Sequence, residues 1–143
     1  MLSDGHVQGL VDACAYIDSK KLNRMLFENC GLTADNLAKI IKGIADMQDI
    51  KALIVKKEIF NQQCVDNIVG SLRHHVPYHL DELSIIECRI SPFLIESLMQ
   101  LLTTESRLRK FTLVKVQHNE RSFDSLVEYV RCKIELKELD LSW

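Results

Sequence analysis

Leu80–Ile90 reads LDELSIIECRI. Leu80, Leu83 and Ile85 fall at the L-x-x-L-x-L spacing, which marks a short strand with alternate side chains sent to one face. The same columns return along the chain. The first position recurs at Leu22, Ile50, Leu80, Leu108 and Leu136, at intervals of 28, 30, 28 and 28 residues. Three residues on stand Met25, Leu53, Leu83, Phe111 and Leu139, and two further on Phe27, Val55, Ile85, Leu113 and Leu141. A fixed period of this length implies one strand-containing unit that is copied and stacked, because a single unit cannot bury its own apolar face.

Between the strands lies a second periodic block, with four columns at the i, i+3, i+4, i+7 spacing of one helix face. Its copies are Val7, Leu10, Val11, Cys14; Leu37, Ile40, Ile41, Ile44; Val65, Ile68, Val69, Leu72; Ile95, Leu98, Met99, Leu102; and Phe123, Leu126, Val127, Val130. All twenty positions are apolar in a chain that is 47% hydrophobic. By chance alone that has a probability on the order of 10⁻⁷. Four residues before each block stand Ser3, Thr33, Asn61, Ser91 and Asn119, whose side-chain oxygens suit the N-cap, a position worth ~1 kcal/mol relative to alanine. Pro92 follows Ser91 and fits the first helical position, where its missing amide hydrogen is not needed.

Composition sets bounds on function. The chain has 143 residues, enough for one ordinary domain over 1–143. Its 18 basic and 20 acidic side chains give a formal charge of -2, which argues against nucleic acid as a partner. No apolar run reaches the ~18 residues that suggest a membrane span, and Asp4, His6 and Asp12 interrupt any signal-like start. A cytoplasmic protein is expected, with no membrane partner. Cys14, Cys30, Cys64, Cys88 and Cys132 form an odd set without a CxxC pair, so free thiols are expected rather than disulfides or a zinc cluster. His74, His75 and His79 crowd around Pro77. Their i, i+1, i+5 spacing does not align the rings on one helical face, and a polar loop is the preferred reading over a metal site.

The columns resemble the leucine-rich repeat family, in particular its ribonuclease-inhibitor-like class with repeats of 28–30 residues. The stretches LNRMLFENCGLT from Leu22 and LDELSIIECRIS from Leu80 follow L-x-x-L-x-L-x-x-N/C-x-L, with Cys30 and Cys88 in the asparagine-or-cysteine column. Glu58 and Val116 depart from it. In the family that side chain satisfies backbone groups of the turn, so irregular loops are expected at these two positions. The resemblance implies an α/β fold: a right-handed curved solenoid with a parallel sheet on the concave side and helices on the convex side. Both ends fall mid-repeat in this frame, which suggests a fragment of a longer array whose open ends meet neighbouring repeats or self-associate.

In such a fold the non-leucine strand positions are free to bind. They run basic on the second strand, acidic on the third and basic on the fourth, so Lys57, Glu87 and Lys115 are expected to form one lateral ladder and Lys51, Asp81 and Arg109 another. Glu82 and Lys110 add to the same strip. Leu26 beside Ile54, and Ile86 beside Val114, are expected as apolar patches framed by charge. Trp143 is a candidate interface anchor. A self-neutralised sheet surface with scattered aliphatics is the competing interpretation of these positions.

No triad order, phosphate loop or paired-carboxylate motif supports catalysis, and no cofactor is implied. The sequence therefore points to a non-catalytic scaffold holding a protein partner. The resemblance leaves two alternatives: a small-GTPase regulator similar to the Ran GTPase-activating proteins, or the repeat domain of a larger cytoskeletal, ciliary or innate immune protein.

Overall fold

The repeating strand columns become the rungs of one parallel sheet. A computed structural model describes residues 2–14, 16, 22–45, 50–73, 80–105, 108–133 and 135–142, with the side chains at 45, 70–73 and 105 outside the description. The His74, His75 and His79 cluster, the Leu72 side chain and Trp143 therefore lie outside the described residues. Five helices and five strands alternate: α1 (Asp4–Cys14), β1 (Arg24–Glu28), α2 (Ala34–Ala45), β2 (Ala52–Lys56), α3 (Gln62–Arg73), β3 (Glu82–Ile86), α4 (Pro92–Glu105), β4 (Lys110–Val114), α5 (Glu120–Cys132) and β5 (Glu138–Asp140). The strand order is β1-β2-β3-β4-β5, parallel throughout. Its register reproduces the sequence columns: Met25, Leu53, Leu83, Phe111 and Leu139 lie side by side, as do Phe27, Val55, Ile85 and Leu113.

These inward strand residues and the helical columns merge into a single core. Leu53, Val55, Leu83, Ile85, Phe111 and Leu113 are all buried, and each such side chain contributes ~1.5–3 kcal/mol relative to exposure. Leu22 and Leu136 pack against the same core from its ends, and Leu80 lies within it. Each helix begins as its cap residue requires: the third amide of the helix donates to Ser3, Thr33, Asn61, Ser91 and Asn119 in turn, at 2.9–3.3 Å. Neighbouring helices are also tied by side chains. Asn36 Nδ2 donates to Asp4 Oδ1 at 2.7 Å, and Asn67 Nδ2 donates to the Ala38 carbonyl at 2.8 Å.

α5 departs from the expected burial. Leu126 is buried, but Phe123, Val127 and Val130 are exposed, and Ser122 and Tyr129 are buried instead. The third column faces the following helix: an ideal Cβ built on Gly43 of α2 would lie 3.4 Å from Val11 Cγ1 of α1. No described helix follows α5 in the row, so its forward columns remain open. Its rear face is closed by Tyr129, which meets Phe111 edge to face at 5.6 Å.

The turns between strand and helix are more regular than the sequence suggested. All four span five residues. Each opens with a non-glycine residue at positive φ: Asn29 (51°), Lys57 (55°), Glu87 (53°) and Lys115 (54°). Its amide still continues the parallel ladder, donating to the Lys56, Ile86, Val114 and Ser142 carbonyls respectively at 2.9–3.0 Å, and its left-handed φ then leads the chain out of the sheet. Glu58 does not disorder its own loop. Its buried carboxyl group accepts from the amides of Cys30 and of Leu32, the latter at 3.3 Å, in the preceding turn. That turn is the irregular one, because Gly31 adds a second positive φ of 66°. Between the next two turns the backbone bonds directly: Phe60 N donates to Arg89 O and Arg89 N to Glu58 O. The Glu58 side chain thus supplies acceptors where Gly31 turns the backbone away from this ladder. Val116 is partly buried against the core, in a loop of ordinary length.

Candidate functional site

On the sheet face opposite the core, the register fixes three rows of side chains. The first contains Arg24, Ala52, Glu82, Lys110 and Glu138. Because Ala52 carries only a methyl group, Arg24 passes over it to reach Glu82, with Nη1 2.8 Å from Oε2, a span of two strand spacings or ~9.6 Å between backbones. Lys110 then lies 3.8 Å from Glu82 and 3.4 Å from Glu138. The result is a charged chain crossing the whole sheet.

The second row is Leu26, Ile54, Ser84, Thr112 and Asp140, and the third includes Lys56, Ile86 and Val114. A groove of about 700 Å³ runs along these rows, lined by Leu26, Ile54, Ser84, Ile86 and Thr112, with Arg24, Lys56, Glu82 and Lys110 among its charged walls. Leu26 and Ile54 are register partners, as are Ile86 and Val114. Their exposure is unequal. Leu26 is 53% exposed, whereas Ile54, expected to be open, is only 4% exposed. Ile54 forms part of the groove floor among the longer side chains of Arg24, Lys56 and Glu82. Ile86 and Val114 are half-buried.

At the strand ends, Lys57, Glu87 and Lys115 are all exposed. Lys115 Nζ lies 3.1 Å from Glu87 Oε1, and this bond and charge, with smaller contributions from Lys57 and Lys56, hold the Glu87 carboxyl below its ordinary range. Lys51, Asp81 and Arg109 are joined through the backbone: Asp81 N donates to Lys51 O and Arg109 N to Asp81 O, each at 2.8 Å. Of the expected binding residues, Leu26, Ile54, Glu82, Ile86 and Lys110 line one groove. Val114 borders it through its register with Ile86. Lys57, Glu87 and Lys115 form a separate strip at the strand ends, and Trp143 lies outside the described residues. The sequence frame missed Arg24 as a bridging residue. The available signal was alanine, the smallest side chain in its row, between an arginine and a glutamate.

Four of the five thiols are placed for packing, and Cys132 is exposed. Cys14, Cys64 and Cys88 are buried and Cys30 is partly buried. Burial raises Cys64 to about 11 and also pushes Cys88 and Cys30 upward, which suppresses the reactive thiolate. Cys64 and Cys88 donate to the Ala34 and Val55 carbonyls of preceding units, each at 3.3 Å. Among the described residues no group of three His, Cys, Asp or Glu side chains is placed to share a metal ion. Nor is any described helix long and apolar enough to cross a membrane. No family model matches the chain, and no curated protein is significantly similar to it.

Proposed function

We propose that the chain is a leucine-rich repeat protein of the ribonuclease-inhibitor-like class, and that it acts as a non-catalytic scaffold for a protein partner. In this reading the row of units is a right-handed curved solenoid, forming one domain over residues 1–143, and the open sheet face is its concave side. The period, the sequential parallel strand order and the alternation with helices support the assignment. Five free cysteines agree with a cytoplasmic setting.

The observation that carries the binding role is Leu26. It is an exposed aliphatic side chain at the mouth of a groove whose floor is buried and whose walls are charged, a layout resembling the apolar centre and polar rim of a protein interface. Ile86 and Val114 extend the apolar part, while Glu82 and Lys110 supply polar contacts. Lys57, Glu87 and Lys115 add a separate charged strip at the strand ends to the proposed surface.

Affinity capture with the intact chain tests the site. Leu26→Asp combined with Ile86→Asp is expected to lose the captured partner, whereas Phe93→Asp on the exposed side of α4 retains it. The reverse pattern would move binding to the helices. Addition of the chain to candidate small GTPases is expected to leave GTP turnover unchanged; acceleration would replace this reading with the regulator alternative.

A further inference from the structure

The edge formed by the strand ends carries a surface of its own in the middle of the stack. Two rows of residues cross it over the second, third and fourth units. Lys57, Glu87 and Lys115 open the strand-to-helix turns, and Ile59, Arg89 and Gln117 follow two residues later. All six are exposed. A cavity of about 390 Å³ opens at the third and fourth units, lined by Glu87, Arg89, Lys115 and Gln117 together with buried Cys88 and Ile90. Because the units stack along the sheet, this edge does not depend on what adjoins the first or the last of them.

Its charges are unevenly matched. Lys57, Arg89 and Lys115 share one exposed carboxylate, Glu87, whose Oε1 lies 3.1 Å from Lys115 Nζ. Glu58, the other carboxylate of these turns, is buried, and its oxygens accept from the Cys30 and Leu32 amides. Among the described residues, Lys57 and Arg89 form no salt bridge. Their backbones are nonetheless fixed. Lys57 N donates to Ile86 O at 3.0 Å, Arg89 N to Glu58 O at 2.8 Å, and Phe60 N to Arg89 O at 3.0 Å. Two cations thus stand on a rigid base with no acid of their own, a preorganised arrangement that lowers the cost of binding an anion. Ile59, 41% exposed, pairs with Arg89 through the backbone and sets an aliphatic side chain beside them.

The geometry points to an acidic segment of the protein partner as the occupant of this edge: an extended stretch whose aspartate or glutamate side chains meet Lys57, Arg89 and Lys115 while an apolar neighbour rests on Ile59. This names the chemistry of one stretch of the partner and rests on the scaffold reading above. Side chains on one face of an extended chain recur about every 6.6 Å, a spacing comparable to that of rungs ~4.8 Å apart. The Arg89 guanidinium is a planar fork that a carboxylate matches with two hydrogen bonds. A lipid surface or a nucleic acid fits less well. Either would extend over Glu28, Asp35 and Glu120, exposed carboxylates along the same edge, whereas a short peptide segment need cover only the cationic middle.

Nuclear magnetic resonance titration of the intact chain with an oligoglutamate peptide at low salt tests this. Amide shifts are expected to concentrate at 57–59, 87–89 and 115–117 and to fade as salt is raised. Lys57→Glu combined with Arg89→Glu is expected to weaken binding about tenfold, because two attractions become two repulsions. Lys39→Glu combined with Lys42→Glu makes the same charge change at exposed positions of α2 and is expected to leave binding unchanged. Circular dichroism checks that the variants fold; if the first pair does not, Lys57→Gln with Arg89→Gln replaces it, with a smaller loss expected. The proposal is overturned by absence of binding, by shifts spread over the whole surface, by equal weakening from the two pairs of substitutions, or by phosphatidylserine vesicles that bind through Lys57 and Arg89 in preference to the peptide. Each of these outcomes leaves the groove reading standing, because that reading is decided by capture through Leu26 and Ile86.

Discussion

Replacing Glu58 by alanine should reveal how much the Cys30–Leu32 turn depends on its neighbour. The substitution removes the acceptor of two backbone amides, those of Cys30 and Leu32. A buried amide left without a partner costs about 1–3 kcal/mol. Two such losses would sum to about 2–6 kcal/mol, and relief of the buried carboxyl's own desolvation offsets part of this, leaving an expected destabilisation of about 2–4 kcal/mol. Glu58→Gln keeps one acceptor oxygen and should lose about half as much. Urea unfolding followed by far-ultraviolet circular dichroism measures the stability. Amide hydrogen exchange then locates the effect: Cys30 and Leu32 should lose protection well beyond the global change, while Phe60 and Arg89, which bond through backbone, should follow it. A loss under about 1 kcal/mol together with unchanged protection at Cys30 and Leu32 would refute the reasoning.

Two further outcomes follow from the titrating groups. Native alkylation near neutral pH is expected to modify exposed Cys132 first, Cys30 more slowly, and Cys14, Cys64 and Cys88 only on unfolding; mass spectrometry of the partly labelled chain gives the order, and early labelling of Cys64 would contradict its burial. Desolvation lowers the His118 pKa below its ordinary 6.5, so on acidification the unfolded chain takes up that proton before the folded one. Stability should therefore fall as pH drops from about 6.5 toward the lower folded value. His118→Asn should flatten this portion of a pH–stability curve, and an unchanged slope would exclude the histidine as its source.

The parts of this architecture written in side-chain type could be read directly. Leu83, Ile85 and their counterparts repeat because the three central rungs bury the same two positions, and Ser91 or Asn119 precedes a helix because its oxygen meets an otherwise open amide. Burial in α5 could not be read that way. Phe123 has the same character as Ile95, and only the presence or absence of a following helix separates them. The left-handed turn positions were equally hidden, since Lys57, Glu87 and Lys115 are not residues that announce positive φ. For the open face, the alternating charges and the Leu26 row were legible. The burial of Ile54 depends on how long neighbouring side chains lean over a groove, and the role of Glu58 depends on the path Gly31 imposes one unit earlier.

The arm of Arg24 reaching over Ala52 also changes how the molecule should respond to force. In a row of stacked units each member is ordinarily secured by the one beside it, so an end can peel away one unit at a time. Here the first rung is fastened to the third as well as to the second. Pulling from the amino-terminal side would have to release that longer tether before β1 could part from β2, making the initial detachment engage three strands at once.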